Sequence, residues 1–122
     1  MSTRMWAVAG AIATAVVGMI VRGIPVAGDA LGGTAYTVLI ALLIVTLRPA
    51  TTPVVAGLGA FLVSCAIELL QLTSLPRTVV EQIPPARWVL GSTFNPVDLL
   101  WYAVGGLVAV LACRWIEKNA AR

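Results

Sequence analysis

PVVAGLGAFLVSCAIELLQLTSL, residues 53–75, holds one charged side chain, Glu68. A helix needs about 20 mostly apolar residues to cross the hydrocarbon core of a bilayer, and this run is long enough. Proline opens it at Pro53 and closes it at Pro76-Arg77. Three further runs of the same kind lie outward from it: Met5 to Val21, Ala30 to Leu47 and Val97 to Trp115. The sequence therefore predicts an all-α membrane protein, a four-transmembrane-helix bundle forming one integral membrane domain over residues 1–122. The spans are expected at about 5–21, 30–47, 53–75 and 97–115. Residues 76–96 form the long connection, too polar and too broken by proline to span.

Composition agrees. Of the 122 residues 60% are hydrophobic and 11% charged, with a mean hydropathy of +0.98. Soluble domains use roughly 45–50% apolar and about 25% charged residues. The first run has the basic start and apolar middle of a signal peptide, and Ala13-Thr14-Ala15 mimics a cleavage motif. It is read as a retained span, because its apolar run continues past that point and three more follow.

The net charge of +3 fits cytoplasmic loops and anionic headgroups rather than nucleic acid. Arg4, Arg48, Arg114, Lys118 and Arg122 fall on the side that holds both ends of the chain, and Arg22, Arg77 and Arg87 on the other. That excess predicts both termini in the cytoplasm, in the inner (plasma) membrane. Trp6 and Trp115 then belong to the inner aromatic belt, Trp88 and Trp101 to the outer one. The chain has no histidine, which removes the commonest general base and transition-metal ligand; no metal and no cofactor is expected. Cys65 and Cys113 lie in apolar runs at different depths and read as small packing residues.

Small residues recur at helical spacing and let helices approach closely in lipid. Gly10, Thr14 and Gly18 lead to Arg22; Gly57, Ala60 and Ser64 lead to Glu68 and Gln71; Asp98, Tyr102, Gly105 and Ala109 make a third stripe. Each stripe ends in a polar group, so Asp29, Glu68 and Asp98 are expected to present carboxylates to one face from three helices, with Arg22 and Arg77 near the same interface. Local readings stand beside this one. Asp29 reads as an N-cap, and Asp98, after Asn95-Pro96, as a first-turn acid that favours the helix dipole. Tyr36 and Tyr102 read as packing or belt residues.

Glu68 cannot be explained by a helix end, since it lies within an apolar run and an acid there costs about 2.5 to 3.5 kcal/mol on insertion scales. It needs a partner. Arg22 or Arg77 could pair with it, or it could hold a proton and bond Gln71 or Tyr102. Interhelical glue and a binding or proton-handling role both remain open.

The same residues carry a family resemblance. Gly28-Asp29-Ala30-Leu31 with Tyr36, Ala66-Ile67-Glu68-Leu69-Leu70-Gln71, and Gly91-Ser92-Thr93-Phe94 leading to Asp98-Leu99-Leu100, Tyr102 and Gly105 resemble the bacterial membrane-protein family catalogued as domain of unknown function 2809. The layout is also similar to VanZ-like proteins, in which a Glu-x-x-Gln ends one helix and an Asp starts the next. Tyr102 stands near the position where those proteins carry an asparagine. The resemblance implies a small helical bundle at the cell envelope.

The function read from these residues is binding of a polar or cationic envelope or lipid-type ligand at an outward-facing carboxylate cluster of Glu68, Gln71, Asp98 and Asp29, with Tyr102, Arg22 and Arg77. Trp88, Val89 and Leu90 would cover it as a partial lid. Membrane lipids are the expected partners, with a membrane-protein partner or a homo-oligomer in the rival reading, an accessory or structural subunit of a larger complex. An enzyme ranks third, because three carboxylates without histidine, metal-site spacing or an activated nucleophile leave only acid-base work.

Overall fold

The computed structural model describes residues 1–25, 27–73, 75–87 and 96–120. Four helices are long and apolar enough to cross a membrane: α1 (Thr3–Val21), α2 (Gly28–Leu47), α3 (Pro53–Leu70) and, after the short α4 (Leu75–Gln82) and a 3-10 turn (Pro84–Ala86), α5 (Pro96–Asn119). This is the pattern of a multi-pass membrane protein. The sides of the spanning helices expose large apolar residues, Ile12, Leu47, Leu62, Leu107 and Leu111 among them, as lipid-facing positions require.

Local chemistry sets the helix starts. The Ser2 hydroxyl accepts from the Met5 N–H at 3.2 Å and opens α1. Thr52 does the same for Val55 at 3.4 Å, with Pro53 at the first helical position of α3. Asp29 is not an N-cap as its sequence position suggests: α2 begins one residue earlier at Gly28, after an Ala27 with no side-chain cap, and Asp29 sits inside the first turn.

The third helix ends at Leu70, five residues short of the expected span. Gln71, Leu72 and Thr73 bond back to carbonyls three residues earlier, and the Thr73 hydroxyl takes the Leu70 carbonyl at 2.7 Å while accepting from the Leu75 N–H. These bonds tighten and close the helix end. Part of the expected connection is then helical again as α4.

Arg4 donates to the Thr46 carbonyl at 2.9 Å, and Trp6 meets Trp115 edge-on with ring centroids 4.9 Å apart. The N-terminus of α1, the C-terminus of α2 and the C-terminus of α5 therefore share one end of the bundle. Arg22, Gly28, Leu70 and Pro96 lie at the opposite end. α2, α3 and α5 pack against one another, while α1 packs chiefly on α2.

Adjacent glycines make this packing possible. A Cβ on Gly105 would lie 2.7 Å from the Thr34 carbonyl oxygen of α2, and one on Gly106 would lie 3.3 Å from the Gly57 carbonyl oxygen of α3. Neighbours in sequence are about 100° apart around a helix axis, so the pair faces two partners at once and wedges α5 between them. Gly32 and Gly33 repeat the arrangement on α2, the first under Arg22 of α1 and the second against Trp101 and Tyr102 of α5.

Candidate functional site

Glu68 is only 1% exposed, and the Tyr102 hydroxyl donates to its Oε2 at 2.8 Å. Because α3 stops at Leu70, Glu68 is two residues from the helix end, about 3 Å in depth at 1.5 Å per residue. It is buried by protein rather than by lipid. A side-chain hydrogen bond also joins it to Asp98 in the first turn of α5. The two acids, carried by α3 and α5, therefore meet in one place beside the Tyr102 hydroxyl.

Asp29 and Arg22 act electrostatically on Asp98, and Arg22 and Glu68 act on Tyr36, whose ring lies 6.1 Å from that of Tyr102. Arg22, Asp29, Asp98 and Tyr102 line a cavity of about 240 Å³ at the end of the bundle opposite the termini. Gly28, Gly32 and Gly33 form its wall on α2. The absence of side chains there leaves room for the Arg22 side chain, whose Cγ would be 3.1 Å from a Cβ on Gly32.

The remaining expected site residues are placed differently. Gln71 caps α3, its amide oxygen buried and its N–H bonded to the Ile67 and Glu68 carbonyls. Arg77 is exposed on α4, and Arg22 is the arginine that lines the cavity. The asparagine expected to cap α5, Asn95, and the lid of Trp88, Val89 and Leu90 lie outside the described residues, as does Arg122. Among the described residues no group of three or more His, Cys, Asp and Glu side chains is placed to hold a metal ion.

One buried polar pair was not legible in the sequence. The Thr37 and Ser64 hydroxyls bond at 2.9 Å between α2 and α3, both fully buried one turn below Glu68. Threonines in apolar helices usually satisfy themselves on the carbonyl four residues back, as Thr14, Thr34 and Thr46 do here. Only tertiary packing distinguishes Thr37. Thr37→Val is expected to cost about 0.6 kcal/mol, the average for an interhelical hydrogen bond, because Ser64 can turn to its own helix. Equilibrium unfolding in mixed micelles measures it.

A family model described as a protein of unknown function, DUF2809, matches residues 24–106, which hold Asp29, Glu68, Asp98 and Tyr102 together. The chain belongs to the DUF2809 family. The match takes in α2, α3, α4 and the first half of α5, so the part of the bundle that carries the carboxylates is the DUF2809 part, while Arg22 and α1 come before it. No curated protein and no solved structure matches the chain, and the more distant likeness to VanZ-like proteins is not shown.

Proposed function

We propose that this DUF2809 protein binds the cationic group of an envelope or lipid-type ligand in the cavity between Asp29 and Asp98, on the outer side of the plasma membrane. The observation that carries this reading is the composition of the cavity. Among the described residues that line it, two acids, Asp29 and Asp98, stand against one base, Arg22, with Glu68 behind Asp98, so the site favours an added positive charge. An open cavity of about 240 Å³ suits a small headgroup rather than a whole lipid.

The depth of the polar column favours binding over passage. Below Thr37 and Ser64 the buried core is Ala41, Val45, Ala56, Ala60 and Ala109. A charged group entering from the cavity meets hydrocarbon there and gains nothing by going further.

The test is thermal unfolding of the detergent-purified protein with ethanolammonium chloride or, at equal ionic strength, sodium acetate. The ammonium is expected to raise the midpoint, by about 2.7 kcal/mol of stabilisation at a hundred times its dissociation constant, and acetate is not. A variant carrying both Glu68→Gln and Asp98→Asn is expected to lose the response. Equal responses to the two salts, or an unchanged response in the double variant, would overturn the reading.

A further inference from the structure

A second cavity, about 250 Å³, opens along the side of the bundle between α1 and α2. Ala15, Gly18, Met19, Ala35 and Leu39 line it, and Thr14, also on its wall, spends its hydroxyl on the Gly10 carbonyl at 2.7 Å. Apart from Tyr36 and Arg22 the wall is therefore apolar, and it runs along α1 and α2. Arg22 and Gly32 belong to both this groove and the polar cavity. The Arg22 side chain lies over Gly32 where the two meet, with Nε 3.4 Å from the position of a Cβ.

We propose that the ligand is a membrane phospholipid whose headgroup carries both a phosphate and an ammonium, one acyl chain lying in the α1/α2 groove, the phosphate on Arg22 and the ammonium against Asp98 and Asp29. This rests on the cationic-group reading above and extends it. The order of the groups along the site is the order along such a lipid: hydrocarbon, then a guanidinium that pairs with phosphate, then carboxylates that pair with ammonium. Each charge of the zwitterion meets an opposite charge, the phosphate at Arg22 and the ammonium at the acids. A purely anionic headgroup would leave Asp98 and Asp29 facing negative charge, and a free amine would leave Arg22 unused.

A groove of the same size between α3 and α5, lined by Val54, Leu58, Phe61, Ala103 and Leu107, has no charged residue among the described residues that line it and supplies an internal control.

Two measurements decide the matter. In the first, wild type and Ala15→Phe, which fills the α1/α2 groove, are compared for retention of dioleoyl phosphatidylethanolamine over phosphatidylglycerol by native mass spectrometry. Both are also titrated with soluble glycerophosphoethanolamine. Ala15→Phe is expected to bind the soluble headgroup as wild type does, which also shows that it is folded, and to lose at least ten-fold in retention of the diacyl lipid. Arg22→Gln is expected to weaken both.

Unchanged lipid retention by Ala15→Phe would overturn the groove assignment while leaving the headgroup site standing. Failure of wild type to bind either the soluble headgroup or the lipid would overturn both readings. In the second measurement, which needs no variant, phosphatidylethanolamine with a photoreactive acyl chain is cross-linked to wild type in nanodiscs. Labelling is expected to be at least five-fold greater at Met19 and Leu39 than at Leu58 and Leu107. Equal labelling of the two grooves would overturn the proposal even if Ala15→Phe failed to fold.

Discussion

Glu68→Gln and Asp98→Asn, made singly, are each expected to keep most of the affinity for ammonium, whereas the two together lower it at least ten-fold, about 1.4 kcal/mol. The reason is that the two acids stand in one place. The Glu68 and Asp98 carboxyl groups bond to each other, and Glu68 accepts from Tyr102. With either one replaced by an amide, the amide N–H can donate to the carboxylate that remains, which still presents a negative charge to the cavity. Only the double variant leaves the cavity without it.

The energies should therefore be strongly non-additive, which a double-mutant cycle on ethanolammonium binding at neutral pH reads directly. If the losses of the two single variants added up to that of the double, the two acids would be independent sites rather than one. Folding should survive all three changes, because each amide keeps the shape of the acid and the amide oxygen of Glu68→Gln can still accept from Tyr102. Glu68→Leu is different: it strands the Tyr102 hydroxyl in a buried setting, at about 1 to 3 kcal/mol for a group left unsatisfied.

Gly105→Ala is the second change with a large expected effect, a loss of about 2 to 3 kcal/mol of stability from one methyl group. The added Cβ would stand 2.7 Å from the Thr34 carbonyl oxygen and 2.8 Å from the Thr37 Cβ. Neither is the far end of a flexible side chain, so α5 must move away from α2. Tyr102 is on the same face one turn earlier, so its bond to Glu68 should open and the ammonium response should fall with stability. Gly59→Ala is the control. Its Cβ would meet only the Ile44 Cδ1 at 3.6 Å, an ordinary contact, and helix propensity favours alanine. Unfolding in mixed micelles should find Gly59→Ala neutral or slightly stabilised; a Gly105→Ala protein as stable as wild type would show that the α2/α5 contact is looser than the geometry requires.

Much of this bundle was legible without coordinates because its physical causes are local. A run of about 20 apolar residues has one stable solution in lipid, a helix whose backbone bonds are all internal. Pro53, the turn at Arg48 and the small-residue stripes follow from the same local rules, and the stripes predict the buried faces: Ala60, Ser64 and Glu68 on α3, Tyr102, Gly105 and Ala109 on α5. The identity of Glu68 as the residue needing a partner came from charge and hydropathy alone.

What the tertiary structure alone decided is which partner. Tyr102 and Asp98 were two of several groups near one interface, and their choice depends on the rotation of α5 about its axis. That rotation is set by Gly105 meeting α2 and Gly106 meeting α3, contacts between residues distant in sequence. The end of α3 at Leu70 rather than Leu75 depends on a threonine hydroxyl closing a turn, which hydropathy does not register. The cavity, too, exists because the α2 glycines face Arg22 and Tyr102 rather than lipid. Four membrane-crossing helices and one acid that must be buried among them were readable from residue order; only the packing of those helices set that acid against Tyr102 and Asp98 at the edge of a cavity, because hydrogen bonds over a few ångströms depend on helix rotation and no local pattern specifies it.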